Sequence, residues 1–180
     1  MRHGQYTKDP TEQLTSLGKK QASLTGKRLA KIDFKKIYSS KLPRAIETAN
    51  IIIKNFKQKQ RFQKKLFLNE CIPGFPKKLR KKFGHTDEKK LLRDKKTADA
   101  AFNELFKFEK IDTKILIVCH GNIIRYFICK ALKMKAYQWL DLDIKQCGIC
   151  EIKLKSETKK MQLIGHNDVG HIPLKMQTFI

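Results

Sequence analysis

The residues best placed to do chemistry are two His-Gly pairs, Arg2-His3-Gly4 at the start of the chain and Cys119-His120-Gly121 far downstream. A glycine after each histidine permits a tight backbone turn and the close approach of a ligand. The second pair leaves a wholly apolar run, Ile115-Leu116-Ile117-Val118-Cys119, and enters a helical pattern. The N–H groups that begin that helix would face an anion. Either pair alone also fits a structural histidine at a strand end. Weight comes from what lies between them. Ser40-Lys41-Leu42-Pro43-Arg44-Ala45-Ile46-Glu47-Thr48-Ala49 places an arginine in the first turn of a helix that follows a strand.

Positioning such residues requires strands that end on one side of a sheet, and the chain supplies them. A helix is expected over residues 15–30, with Leu17, Ala22, Leu24 and Leu29 at heptad spacing and Thr15 as its N-cap. Residues 36–39 read as a short strand. A second helix starts near Pro43, a good first-turn residue, with Ile46, Ala49, Ile53 and Phe56 as its apolar face. Residues 61–68 read as another short strand and 71–86 as a loop broken by Pro73, Gly74, Pro76 and Gly84. A long helix over 87–109 turns Ala98, Ala101, Phe102, Leu105 and Phe106 inward. Residues 115–119 are apolar throughout, as in a strand buried on both faces. After the helix that follows His120, residues 148–155 and 160–164 read as a hairpin, and the tail beyond Gly165 as irregular. Alternating strands and helices specify an α/β domain with a mainly parallel central sheet. Ligands in such sheets bind beyond the carboxyl ends of the strands, where His120 falls.

Composition narrows the classes. The chain has 180 residues with 41% hydrophobic content, enough for a core and against wholesale disorder. No apolar run approaches the ~18 residues of a transmembrane helix, and no signal peptide is visible after Met1. The formal charge is +23, but it comes from 33 Lys and only 7 Arg, whereas base-reading sites favour Arg. The basic stretches at 54–65 and 77–96 lack the interleaved aromatics of a stacking platform, so they read as solvated surface, and no specific nucleic-acid partner is expected. The cysteines at 71, 119, 129, 147 and 150 are odd in number and read as free thiols. The lone Cys147-Gly-Ile-Cys150 has no second pair to complete a zinc site. His85 has no partner motif, and His166 and His171 lie in the irregular tail.

Taken in order, Arg2-His3-Gly4, Ser-x-Leu-x-Arg-Ala-x-x-Thr-Ala at 40–49, Glu70, and Val-x-His-Gly-x-x-Ile-Arg at 118–125 resemble the histidine phosphatase superfamily, also called phosphoglycerate-mutase-like, through nearly the whole chain. Gln5-Tyr6, Leu14-Thr15-Ser16-Leu17-Gly18, Arg44-Ala45-Ile46-Glu47-Thr48, Ile124-Arg125-Tyr126-Phe127, Trp139-Leu140 and Ile172-Pro173 are similar to its branch of mitochondrial Ser/Thr protein phosphatases. True cofactor-dependent mutases carry Arg-His-Gly-Glu-Ser, so Gln5-Tyr6 points away from mutase activity.

The resemblance implies a three-layer sandwich and a metal-independent phosphatase that needs no cofactor. It makes His3 the nucleophile that forms a phosphohistidine, with Arg2, Arg44 and a protonated His120 around the phosphoryl oxygens. Glu70 becomes the general acid and then the base for water. Gln5 and Asn122 either reach the phosphate or cap turns. No metal ligands are implied. A phosphoprotein is the expected substrate; the alternatives are small phosphorylated metabolites, or a catalytically weak module that binds phosphoproteins or polyanions. A homodimer is compatible with the family, and either a cytoplasmic or a mitochondrial location. One departure stands out. Family members have a hydrophobic strand before Arg-His-Gly, whereas here Met1 directly precedes it, so 1–180 is expected to be a single domain short of that strand.

Overall fold

A computed structural model describes residues 1–82, 84, 87–109 and 112–179. The central sheet is parallel, in the order β2 (Gln63–Lys65), β1 (Lys36–Ser40), β3 (Ile115–Val118). The backbone of residues 1–3 continues it on the far side of β3. The Met1 amino group donates to Ile117 O at 2.7 Å, Cys119 N to Met1 O at 3.0 Å, and His3 N to Cys119 O at 3.0 Å. Arg2 and Cys119 form a parallel bridge. On its other edge the segment is held by Arg2 N to Gly148 O and Cys147 N to His3 O, both 3.1 Å. Residues 1–3 thus form a strand-like segment beside β3 and deliver His3 from it.

Helices cover both faces. α1 (Ser16–Leu29) and α2 (Pro43–Ile53) lie on one side, and α4 (Glu88–Leu105) and α5 (Gly121–Ala131) on the other. β3 shows why it is apolar at every position. Leu116 and Val118 join the core under α1 and α2, while Ile117 and Cys119 join the core under α4 and α5. A short α3 (Lys77–Arg80) precedes α4, and an antiparallel hairpin, β4 (Ile149–Lys155) and β5 (Lys160–Asp168), follows α5. Among the described residues, no helix is long and apolar enough to cross a membrane.

Local chemistry explains the helix starts. Thr15 Oγ1 accepts from Gly18 N at 3.0 Å and Asp87 Oδ1 from Lys90 N at 2.9 Å, each satisfying an N-terminal amide. Pro43 opens α2.

Three expectations shift. The segment expected as a strand at 61–68 is a strand only at 63–65 and then a 3-10 turn. β5 runs past Gly165 to Asp168. The buried face of α2 is Arg44, Ala45, Thr48, Ala49 and Ile52, rotated away from the Ile46, Ala49, Ile53 stripe. That rotation carries Arg44 inward.

Candidate active site

Three strand ends converge on one cluster. Residues 1–3 end in His3, β1 ends in Ser40, and β3 runs through Cys119 into His120; all three residues are buried. The His3 and His120 ring centroids stand 5.0 Å apart, tilted by 57°.

His3 Nδ1 lies 2.8 Å from Gly4 O. A carbonyl only accepts, so Nδ1 carries the proton and Nε2 keeps its lone pair. Arg44 Nε donates to that Nε2 at 3.2 Å. Burial, joined by the charges of Arg2 and Arg44, pushes the His3 pKa down to about 3, against the upward pull of the Gly4 carbonyl. The ring is neutral near neutral pH, with a nucleophilic nitrogen facing the cluster.

His120 Nε2 is 2.7 Å from Ser40 Oγ, and its buried Nδ1 has no hydrogen-bond partner among the described residues. Burial first, then His3, Arg44 and Arg2, hold its pKa well below the usual histidine value. Burial and these neighbours favour the neutral ring, whereas the protonated His120 expected from the sequence is the ring beside a phosphoryl group. Cys119 beside it stays a thiol, its pKa pushed up by burial to about 11.

Arg44 reaches the cluster from the first turn of α2 and is 5% exposed. Its guanidinium sits 4.6 Å from the Tyr6 ring centroid and its Nη1 pairs with Glu12. Thr48 Oγ1, one turn on, accepts from Gly4 N at 3.0 Å and donates to Arg44 O at 2.7 Å, tying α2 to the turn after His3. The other arginine, Arg2, donates through Nη1 to Ile144 O at 2.7 Å, while its buried Nε has no partner. It lies within electrostatic reach of Glu70, Arg125 and Asp143.

Glu70 follows the 3-10 turn after β2 and stands at the rim, with an open face to solvent. Its carboxylate accepts from Cys71 N at 3.3 Å. The protein atoms around it raise its pKa, while the Cys71 and Asn122 backbone amides, Arg2 and Arg44 oppose the rise.

The remaining expected residues are engaged in positioning bonds. Gln5 Oε1 accepts from Thr15 Oγ1 at 2.7 Å, toward the N-cap of α1. Asn122 Nδ2 donates to Cys71 O at 3.2 Å, bracing the loop that carries Glu70. His166 lies 3.7 Å from Cys150 Sγ, His171 contacts Thr25 Oγ1 at 2.9 Å, and His85 lies outside the described residues. Sequence reasoning missed roles for Ser40, Thr48, Arg125 and Glu12. Ser40 and Thr48 stood inside the quoted motif, and their place one turn or one strand end from Arg44 was the available signal. Arg125 stacks on Trp139, 4.8 Å to the ring centroid, and donates to Leu142 O at 2.8 Å, bracing the wall beside Arg2. Glu12, in a polar turn, carried no signal.

Two arginines, a neutral histidine whose Nε2 accepts from Arg44, a second histidine and a rim carboxylate gather in one cluster. Two polar atoms of the cluster, Arg2 Nε and His120 Nδ1, are buried without partners among the described residues, as buried polar atoms seldom are. This fold and this cluster define a class. The family model of the histidine phosphatase superfamily (branch 1) matches residues 1–167, and the chain belongs to that family. Among curated proteins it is similar to the mitochondrial serine/threonine-protein phosphatases Pgam5 of Caenorhabditis elegans, 35% identical over 96% of this chain and 63% of the relative, and of Drosophila yakuba, 35% identical over 99% and 65%. The chain thus spans just under two thirds of the length of these relatives. Among solved structures, the phosphoglycerate mutase of Plasmodium falciparum superposes with a TM-score of 0.65 at 30% identity, covering 96% of this chain and 91% of that one.

Proposed function

We propose that this protein is a metal-independent phosphatase that works through a phosphohistidine on His3, with Ser/Thr phosphoproteins as substrates. The observation that carries the reading is the His3 hydrogen bond to Gly4 O, which leaves a neutral Nε2 inside a cationic cluster.

In the first step the Nε2 lone pair attacks phosphorus as the P–O bond to the leaving alkoxide breaks. Glu70, its pKa raised, gives that oxygen a proton. Arg2 and Arg44 pair with the equatorial oxygens, the forked geometry matching phosphate. Ser40 Oγ accepts from Leu42 N at 3.2 Å and donates to His120 Nε2, which leaves the His120 proton on Nδ1 for a phosphoryl oxygen. In the second step ionised Glu70 takes a proton from water, whose oxygen attacks phosphorus, and the N–P bond returns its electrons to His3. Catalysis is mainly positioning and charge stabilisation.

The substrate class and a mitochondrial location are supported by the names of the curated relatives. Hydrolysis of small phosphorylated metabolites is the second reading, supported by the likeness to a mutase structure. The test is turnover of an aryl phosphate and a phosphothreonine peptide in chelator, beside sugar phosphates and phosphoglycerates. The proposal predicts metal-free turnover that favours the peptide. His3→Ala with full activity, or a preference for the metabolites, would overturn the corresponding part.

A further inference from the structure

Glu12 sits where nothing in the proposed chemistry needs a carboxylate. Residues 6–14 form a narrow loop, closed by an antiparallel bridge between Tyr6 and Leu14 and by Thr7 N to Gln13 O at 2.8 Å. Its tip is built on Asp9, whose Oδ1 accepts from Thr11 N at 2.8 Å and whose carbonyl accepts from Glu12 N at 3.1 Å. Glu12 itself adopts φ 48°, the left-handed region that a non-glycine residue adopts at a cost. The loop is anchored at its base, where Glu47 Oε2 accepts from Leu14 N at 2.8 Å and Glu47 pairs with Lys19 at 3.2 Å. This geometry turns the Glu12 carboxylate inward onto Arg44 Nη1. Arg44 in turn donates its Nε to His3 Nε2, the lone pair assigned to attack.

We propose that Glu12, Arg44 and His3 form a resting latch, in which an internal carboxylate occupies the phosphate clamp and the clamp covers the nucleophile. The inference rests on the phosphatase reading and concerns the same pocket. A carboxylate oxygen offers Arg44 the same acceptor that a phosphoryl oxygen does. Substrate and product phosphate must therefore displace Glu12, and Arg44 must swing from His3 Nε2 to a phosphoryl oxygen before attack. Tyr6, whose ring lies under the guanidinium, supports the arginine through that movement. Glu12 stands 36% exposed at the side chain against 6% for Arg44, so the carboxylate is the partner with somewhere to go. The latch keeps the pocket weakly charged between turnovers and sets a floor on KM.

The test is inorganic phosphate binding by calorimetry, together with steady-state kinetics on an aryl phosphate, for wild type, Glu12→Gln and Glu12→Asn. Asn tolerates the left-handed backbone and guards against a loop defect. Glu47→Gln, which removes a nearby negative charge but keeps an amide oxygen to accept from Leu14 N and so leaves the loop anchored, is the control for general electrostatics. The latch predicts that both Glu12 variants bind phosphate roughly three- to tenfold tighter and show a matching fall in KM, with kcat unchanged or lower through slower product release. Glu47→Gln stays near wild type. Glu12 variants that bind phosphate no better, or that lose kcat with weaker phosphate binding, overturn the latch and make Glu12 a residue that positions Arg44. Equal tightening in Glu47→Gln overturns it in favour of through-space charge. Phosphate failing to bind any variant, wild type included, overturns the phosphatase reading itself.

Discussion

The two His-Gly turns share a dipeptide, a strand end and a burial environment, yet they are built for different tasks. At the first, a side chain on Gly4 would come within 2.7 Å of Gly18 O, because the backbone after His3 packs directly on the first turn of α1. The partner glycine is tighter still, since a Cβ on Gly18 would lie 1.9 Å from Gln5 O. That close packing holds the Gly4 carbonyl on His3 Nδ1 and fixes the tautomer. At the second turn, a Cβ on Gly121 would meet Ile144 and Arg2 at ordinary contact distances of 3.7 and 3.8 Å. There the glycine only opens α5, and the ring is oriented from outside its own turn by Ser40. In the proposed chemistry, neighbouring backbone sets the His3 tautomer for attack, while a hydroxyl on another strand leaves the His120 Nδ1 proton free to be donated.

The largest expected difference between the two turns is chemical. His3→Ala should lower kcat by at least about a thousandfold, as removal of a nucleophile does. His120→Asn should cost about a hundred- to a thousandfold, the range for one donor to a developing charge. Single-turnover assays at saturating aryl phosphate measure both. Equal losses would erase the distinction. Next in size is the glycine contrast. Gly4→Ala forces backbone to move and should destabilise the fold by about 1–3 kcal/mol, whereas Gly121→Ala should fall within about 0.5 kcal/mol of wild type. Urea titrations with matched m-values decide it, and a larger cost at Gly121 would reverse the assignment.

Acid stability treats the two rings alike and so gives the smallest contrast between the turns. His3 has a folded pKa of about 3 against 6.5 for a free ring, and His120 is also lowered, in both cases chiefly by burial. Between those values the unfolded chain binds protons that the folded chain does not, so stability rises with pH through that window and falls on acidification below about 6.5. Each ring contributes up to ~1.4 kcal/mol per pH unit. Thermal melts from pH 7 to pH 5 should show a steeper fall for wild type than for His120→Asn. Parallel curves would mean that His120 is protonated in the folded protein.

Much of this arrangement was legible in the sequence, because polar residues at the ends of apolar strands leave a local mark. The apolar run of β3 announces its end at His120, and Pro43 announces the helix turn that carries Arg44. The face of α2 was not legible. Its buried side includes Arg44 and Thr48, polar residues placed inward for the pocket, so hydrophobic periodicity pointed to half-exposed Ile46 and Ile53 instead. Gly165 read as a breaker, yet β5 passes through it with open space beside its Cα. The charge state of His120 depended on burial first and then on His3, Arg44 and Arg2, all distant in sequence, and the inward turn of Glu12 depended on its backbone conformation. Neither has a signature in composition or spacing.

Rapid quench of turnover with a labelled aryl phosphate, followed by peptide mapping, locates the phosphoryl group during turnover. A phosphohistidine intermediate predicts acid-labile, alkali-stable phosphate on the peptide that carries His3, present in wild type and lost in His3→Ala. Phosphate on any other residue, or undiminished turnover by His3→Ala with no phosphoenzyme, would contradict it.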